Sequence, residues 1–223
     1  MLILALDAAL ARCSVALVRG GVVLAERQQD ASRGHASLLP PMVQAVLAEA
    51  GVTARDLAAV AAVVGPGGFT GIRTALALAE GLALGAGIPV VGVTTGEALA
   101  EAVPAEQRAG REVWTAVDTR RGRVVLERFA AAPPFGNLVA LGEPQAMDEA
   151  ALPRPAGPVA VAGDAALAVA ARLAARGANT LLAGPRMPEA AAVARVAARR
   201  LAGALPGLPA QPMYVEPPAV RQP

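Results

Sequence analysis

The chain has 223 residues, of which 55% are hydrophobic and 17% charged, a composition typical of a folded protein with a real core. Its formal charge of +2 is too small to indicate nucleic-acid binding by itself. A single cysteine, Cys13, excludes an internal disulfide. No signal-peptide pattern stands at the amino terminus, and Arg73, Glu80 and Pro89 interrupt the one long apolar stretch, so a cytoplasmic protein without membrane contact is expected.

Residues 1–105 alternate between strand and helix patterns. Short apolar runs that end at turn residues are typical of strands, whereas apolar residues at helical spacing indicate helices. Strands are predicted at 2–6, 13–18, 22–26, 60–64 and 90–93, and helices at 35–50, 71–86 and 95–102. Thr70 is expected to cap the second helix, and Thr94 or Thr95 the third. This order, with a parallel crossover, indicates an α/β chain of the actin-like (ASKHA), ribonuclease-H-like fold class.

The second half begins with a pattern that resembles the start of the chain. A hairpin is predicted from strands at 112–118 and 123–129, and the run that ends in Asp118 echoes the run that ends in Asp7. A duplicated domain explains this echo, and chance similarity between two strand ends is the alternative. We therefore predict two tandem βββαβα-type domains.

The expected domains are an N-terminal one, 1–105, and a smaller second one, 106–223. Residues 131–157 hold five prolines and are expected to be irregular. Beyond them the pattern predicts strands at 159–162 and 180–183, helices from 164 to about 177 and from 189 to 204, and an extended proline-rich tail.

A glycine turn precedes the second helix. Bare backbone amides at a helix start can bind an anion, so Gly65, Gly67, Gly68 and Thr70 are a candidate anion site. The turn lacks the lysine of a P-loop, and its spacing differs from the dinucleotide-binding fingerprint. A tight connection between strand and helix explains the glycines equally well.

The residues that would support catalysis are sparse. Asp7 ends the first strand, where actin-like enzymes keep an acid for metal and phosphate. Ala8 and Ala9 follow it and offer no side-chain donors, so a loop-capping aspartate is preferred. His35 is the single histidine, which excludes a metal site built on two histidines of one helix. We expect no catalytic residue, no metal and no cofactor.

The helix at 71–86 carries only two charges, Arg73 and Glu80, so its apolar surface must be covered by its own sheet or by another molecule. Small residues form two ridges at a spacing of four, and such ridges allow a second helix to approach closely. The ridges are Gly71, Ala75, Ala79 and Ala83, and Ala77, Gly81 and Gly85. We predict a protein partner on the exposed side; packing on the chain's own sheet is the alternative.

Three runs carry a resemblance to a known family: HASLLPPMVQAVLAEAG, GPGGFTGIRTALALAEGLA and IPVVGVTTGEALA. They resemble the bacterial TsaB family, also called YeaZ, over roughly residues 1–130. Members of that family are non-catalytic paralogues of the threonylcarbamoyl transferase TsaD in the actin-like superfamily. The resemblance implies a role in forming threonylcarbamoyladenosine in tRNAs that read codons starting with A. It also implies pairing with TsaD through two helices of the first domain, and association with the ATPase TsaE.

Carried over by position, the partner surface comprises His35, Leu38, Leu39, Met42, Val46, Gly71, Arg73, Ala75, Ala79 and Ala83. An Ala79→Arg substitution is then expected to abolish pairing while leaving the chain folded. Gly68 stands where the family usually has serine, and Ala8-Ala9 where it has Thr-Ser; both departures fit a scaffold better than a catalyst.

The expected function is therefore that of an activating scaffold that forms a four-helix bundle with a TsaD-like subunit. Its association with tRNA is expected to be indirect. The same apolar helices allow a homodimer of the isolated chain. The alternative is an enzyme of the same superfamily, either an ATP-dependent transferase or a metallopeptidase-like protein.

Overall fold

The first half of the chain folds around a five-stranded sheet in the computed structural model, which describes residues 1–132 and 137–216. Its strands are β1 (Leu2–Asp7), β2 (Arg12–Arg19), β3 (Val22–Asp30), β4 (Ala59–Gly65) and β5 (Val90–Thr94). They stand in the order β3-β2-β1-β4-β5, antiparallel from β3 to β1 and parallel from β1 to β5. Every residue of β1 and β4 is buried, as expected for central strands covered on both faces.

Three α-helices belong to this half: α1 (His35–Glu49), α2 (Phe69–Ala86) and α3 (Thr95–Ala102). Thr94 caps α3 as predicted: its hydroxyl accepts a hydrogen bond from the Glu97 amide at 2.9 Å, and the Glu97 carboxylate accepts one from the Thr94 amide at 2.8 Å. The prediction that Thr70 caps α2 is wrong. Gly68 is the N-cap, and Thr70 lies inside the first turn, because the glycine turn already supplies the extended cap conformation.

The second sheet has the same topology as the first. Its strands are β6 (Glu112–Asp118), β7 (Val124–Ala132), β8 (Asn137–Ala140), β9 (Gln145–Met147), β10 (Val159–Ala162) and β11 (Thr180–Leu182). The order β8-β7-β6-β10-β11 repeats the order of the first sheet, with the same parallel and antiparallel neighbours, and β9 pairs with β7. The tandem ribonuclease-H-like fold is therefore confirmed.

The prediction that 131–157 is irregular is wrong for β8 and β9. Both strands pair with β7. The number of prolines in a stretch carries no information about whether the residues between them pair with another strand. Residues 133–136 of this stretch lie outside the described residues. The remaining helices are α4 (Ala105–Arg108), α5 (Ala166–Ala175) and α6 (Ala190–Leu201).

The C-terminal helix and tail, assigned from the sequence to the second domain, lie on the first. Buried side chains of α6, including Val193 and Val196, belong to the same core as β1 and β4. Farther along, the Gly92 amide of β5 donates a hydrogen bond to the Leu208 carbonyl at 3.1 Å. The division at residue 105 therefore separates the two sheets but not the elements that cover them. Among the described residues, no helix has both the length and the hydropathy that crossing a membrane requires.

Candidate functional site

The glycine turn that joins β4 to α2 packs directly on the loop after β1. The Gly68 amide donates a hydrogen bond to the Ala9 carbonyl oxygen at 2.7 Å. A Cβ added to Gly67 would overlap the Ala9 carbonyl oxygen, and one added to Gly71 would overlap that of Ala8. These glycines thus permit close backbone packing, and the Gly68 amide that an anion would need is already engaged.

Asp7 holds this loop in place from the end of β1. Its carboxylate Oδ1 accepts a hydrogen bond from the Ala9 amide at 2.9 Å, which confirms the predicted loop-capping role. Its Oδ2 has no hydrogen-bond partner among the described residues. Burial raises the pKa of Asp7 to about 7, although the Ala9 amide and the positive charge of Arg12 act to lower it. In the described parts of the chain, no three His, Cys, Asp or Glu side chains form a group that could hold a metal ion.

His35 is half-buried at the start of α1. Its Nε2 lies 3.4 Å from the Leu10 carbonyl oxygen, and its ring lies against the position that a Cβ on Gly71 would occupy. The histidine thus joins the start of α1, the loop after β1 and the start of α2.

Most of the side chains predicted to meet a partner are buried inside the chain itself. The seven buried residues are Leu39, Met42, Val46, Gly71, Ala75, Ala79 and Ala83. The ridge from Gly71 to Ala83 therefore faces the chain's own core, because that side of α2 packs on β4. This corrects the expectation that Ala79→Arg would leave the chain folded: Ala79 is fully buried. Arg73 is exposed, while His35 and Leu38 are half-buried.

The other ridge of α2 is the exposed one. Its surface, called here the α2 face, consists of Arg73, Ala77, Gly81, Leu84 and Gly85. Leu84 is 87% exposed, and a Cβ added to Gly81 or Gly85 would meet no atom within 4 Å. A helix with this face can be approached very closely by another helix.

A cluster of aromatic and cationic side chains lies where α2 begins. The Arg73 guanidinium carbon stands 3.9 Å from the centre of the Phe69 ring. The same guanidinium donates hydrogen bonds to the Tyr214 hydroxyl oxygen, from Nε at 3.0 Å and from Nη2 at 2.8 Å. The Phe69 and Tyr214 rings stack with their centres 6.2 Å apart. Arg73 was predicted from the sequence as a partner contact, whereas Phe69 and Tyr214 were not. No local pattern links Tyr214 to Arg73, because the two residues are 141 positions apart in the chain.

A buried carboxyl group joins the two sheets. Glu127 of β7 lies against Gly96 of α3, where a Cβ would overlap its Oε2 atom, and its carboxyl accepts hydrogen bonds from the Thr94 hydroxyl at 3.0 and 3.2 Å. Burial and the nearby charge of Glu97 raise the pKa of Glu127 to about 8. Glu127 was not predicted from the sequence; an acid in a strand whose only other charged residue is Arg128 was the available signal.

The duplicated sheets, with α3 in contact with both, define an actin-like protein. Residues 19–184 match the family model of TsaD, described as tRNA N6-adenosine threonylcarbamoyltransferase. The chain is also 42% identical over 124 residues to the tRNA threonylcarbamoyladenosine biosynthesis protein TsaB of Escherichia coli (strain K12), an alignment covering 56% of this chain and 53% of that protein. The chain spans about half the length of the curated relatives it matches.

Solved structures extend the similarity over nearly the whole chain. YeaZ from Pseudomonas aeruginosa has a TM-score of 0.80 and 30% identity, covering 96% of this chain and 99% of that one. A second structure, of a protein described as similar to the peptidase YeaZ from Pseudomonas aeruginosa, has a TM-score of 0.82 and 29% identity with the same coverage. The chain belongs to the TsaB (YeaZ) family, within the larger group that the TsaD model describes.

Proposed function

We propose that this chain is the non-catalytic subunit of a system that forms N6-threonylcarbamoyladenosine in tRNA, and that it acts by docking on a TsaD-like catalytic subunit. The observation that carries the proposal is the α2 face, where Gly81 and Gly85 have open space above them and Leu84 is 87% exposed. Burying the Leu84 side chain against a partner would contribute about 2 kcal/mol. A surface of this kind is typical of a protein interface.

The similarity to the TsaD family supports the choice of partner. Because the TsaD model matches residues 19–184, the catalytic subunit is expected to have the same fold, with helices equivalent to α1 and α2. The exposed residues of α1 include Pro41, Gln44 and Ala48, and α1 packs beside α2. Two such helix pairs can pack together as a four-helix bundle, with crossing angles set by ridges of small residues.

The mechanism we propose is contact. The docked helix pair restricts the partner to the arrangement in which its active site works, so catalysis takes place on the partner. The packing of the glycine turn supports this role, because the Gly68 amide and the space above Gly67 are taken up by the Ala9 carbonyl oxygen. An association with a TsaE-like ATPase, an indirect one with tRNA, and a homodimer of the isolated chain remain predictions, as does a location in the cytoplasm.

The proposal is tested by reconstituting tRNA modification from the TsaD-like subunit with and without this chain. Ala77→Arg should prevent both complex formation and stimulation, because it places a long cation in the centre of the α2 face. Ala171→Arg is the matched control, an exposed alanine on α5. Equal stimulation by both variants would refute the docking site.

Titrating the isolated chain with ATP and Mg²⁺ distinguishes an enzyme of the same superfamily from a scaffold. A scaffold gives no heat of tight binding in calorimetry. A saturable site, together with product formation in the absence of the TsaD-like subunit, would favour the ATP-dependent transferase.

A further inference from the structure

We propose that the C-terminal segment 208–216 forms part of the docking surface, with Tyr214, Phe69 and Arg73 anchoring the partner at the amino-terminal end of the α2 face. The inference rests on the proposed function, since the partner is the same TsaD-like subunit. It adds a residue from the far end of the chain to a surface otherwise formed by helices of the first domain.

The backbone of the segment is held on the first sheet at two points. The Met213 amide donates a hydrogen bond to the Val64 carbonyl oxygen at 2.8 Å, and the Leu208 carbonyl accepts one from Gly92 at 3.1 Å. Glycine is required beneath the segment, because a Cβ added to Gly65 would lie 2.9 Å from the Met213 carbonyl oxygen. Tyr214 therefore has a defined position beside α2.

Tyr214 in turn restricts Arg73. Two guanidinium nitrogens donate to its hydroxyl oxygen, while the guanidinium lies over the Phe69 ring at 3.9 Å. An exposed arginine normally loses side-chain entropy when it is immobilised in an interface. Here the free chain already holds the side chain, so binding would restrict it less.

The exposure of these rings points to a contact surface. Aromatic residues make up only 2% of the chain, and the other two described rings, Trp114 and Phe129, are buried. Phe69 and Tyr214 are 57% and 54% exposed. Tyrosine and arginine are enriched among the residues that dominate interface energies. Moreover, Arg73 belongs to the α2 face, so the cluster and that face form one surface about 25 Å long.

The charge of this surface favours a protein over a nucleic acid. Along α2 the single cation, Arg73, is matched by the single anion, Glu80. Beyond Tyr214, Glu216 lies within 4 Å of both Arg121 and Arg123, and Arg123 also pairs with Asp148, so two acids face these two arginines. Binding a phosphate backbone requires an excess of positive charge along the groove. We therefore expect the partner to present a carboxylate to Arg73 and an apolar side chain to Phe69.

The test is the affinity of the TsaD-like subunit for variants of this chain, measured by calorimetry. Tyr214→Ala should weaken binding about tenfold, and Phe69→Ala by a similar factor. Tyr214→Phe keeps the ring and lacks only the hydroxyl, so its affinity for the TsaD-like subunit should fall less than that of Tyr214→Ala. Leu167→Ala is the control, since Leu167 is 66% exposed on α5 and should leave the affinity unchanged. Unaltered thermal unfolding of Tyr214→Phe would show that the loss arises at the surface.

The outcomes separate this inference from the function on which it rests. Wild-type affinity of Tyr214→Ala, with binding abolished in Ala77→Arg, would overturn the role of the C-terminal segment and leave the docking proposal standing. Wild-type affinity of Ala77→Arg would overturn the docking proposal itself. If Tyr214→Ala loses binding to an anticodon stem-loop RNA but not to the protein, the cluster is a platform for bases and the inference is wrong.

Discussion

Glu127 accepts a hydrogen bond from the Thr94 hydroxyl at 3.0 Å, and this contact links the second sheet to the cap of α3. The carboxyl group is buried, and the charged groups that act on it include Glu97, Glu143 and Arg200. The junction between the two sheets thus contains an acid whose pKa is raised to about 8 by burial.

Glu127→Gln should therefore flatten the pH dependence of stability. The folded-state pKa of Glu127 lies above its ordinary value of 4.5, so the folded chain binds the proton more tightly than the unfolded chain. Its contribution to stability is complete below about pH 4.5 and is lost as the pH rises to about 8. Glutamine is neutral throughout and can still accept from Thr94. Urea unfolding should show that the free energy of unfolding of the variant rises relative to that of the wild type by a few kcal/mol between pH 5 and pH 9. If the free energies of unfolding of variant and wild type changed in parallel with pH, the raised pKa of Glu127 would be contradicted.

Asp7→Asn should act in the same direction over a lower range. The pKa of Asp7 is raised from 3.8 to about 7, so its contribution to stability falls between about pH 4 and pH 7. The asparagine oxygen can still accept from the Ala9 amide, while its new NH₂ group would cost about 1 kcal/mol if it found no acceptor. Denaturation midpoints from pH 4 to 8 measure the slope. A variant with the slope of the wild type between pH 4 and 7 would show that Asp7 titrates normally.

Gly71→Ala should destabilise the chain, because the new methyl group would overlap the Ala8 carbonyl oxygen. Moving backbone to make room is expected to cost about 1 to 3 kcal/mol. Gly81→Ala is the matched control on the same helix. It meets no atom within 4 Å and should stabilise α2 by up to about 1 kcal/mol, since alanine has the higher helix propensity. Thermal unfolding of the two variants should shift in opposite directions; equal shifts would contradict the packing of α2 on the loop after β1.

Ala79→Arg and Ala77→Arg should separate folding from docking. Ala79 is fully buried, so an arginine there must either bury a charge or open the core, at a cost of several kcal/mol. Ala77 is exposed, and arginine there should leave the isolated chain as stable as the wild type. Circular dichroism and urea unfolding of the isolated variants measure whether each one is folded and how stable it is. A stable Ala79→Arg variant would show that this side of α2 is open.

Local sequence patterns were sufficient for most elements of the first domain. Turn glycines, apolar runs and the Thr94 capping signal act within a few residues, so β1 to β5 and α1 to α3 were predicted to within a few residues of their bounds. The order of these elements also indicated the fold class. The loop-capping role of Asp7 followed from the residues next to it, and the structure bears it out.

Contacts between distant residues decided the rest. The sequence by itself determined that α2 has two small ridges and almost no charge, but such a helix has no polar side to mark its orientation. The tertiary structure decided it, because β4 covers the ridge of Ala79 and leaves that of Ala77 to the solvent. The contact between Tyr214 and Arg73 could not be predicted for a similar reason. The tail after α6 is hydrogen-bonded to the first sheet, and the periodicity within the tail carries no information about a partner so distant in the chain.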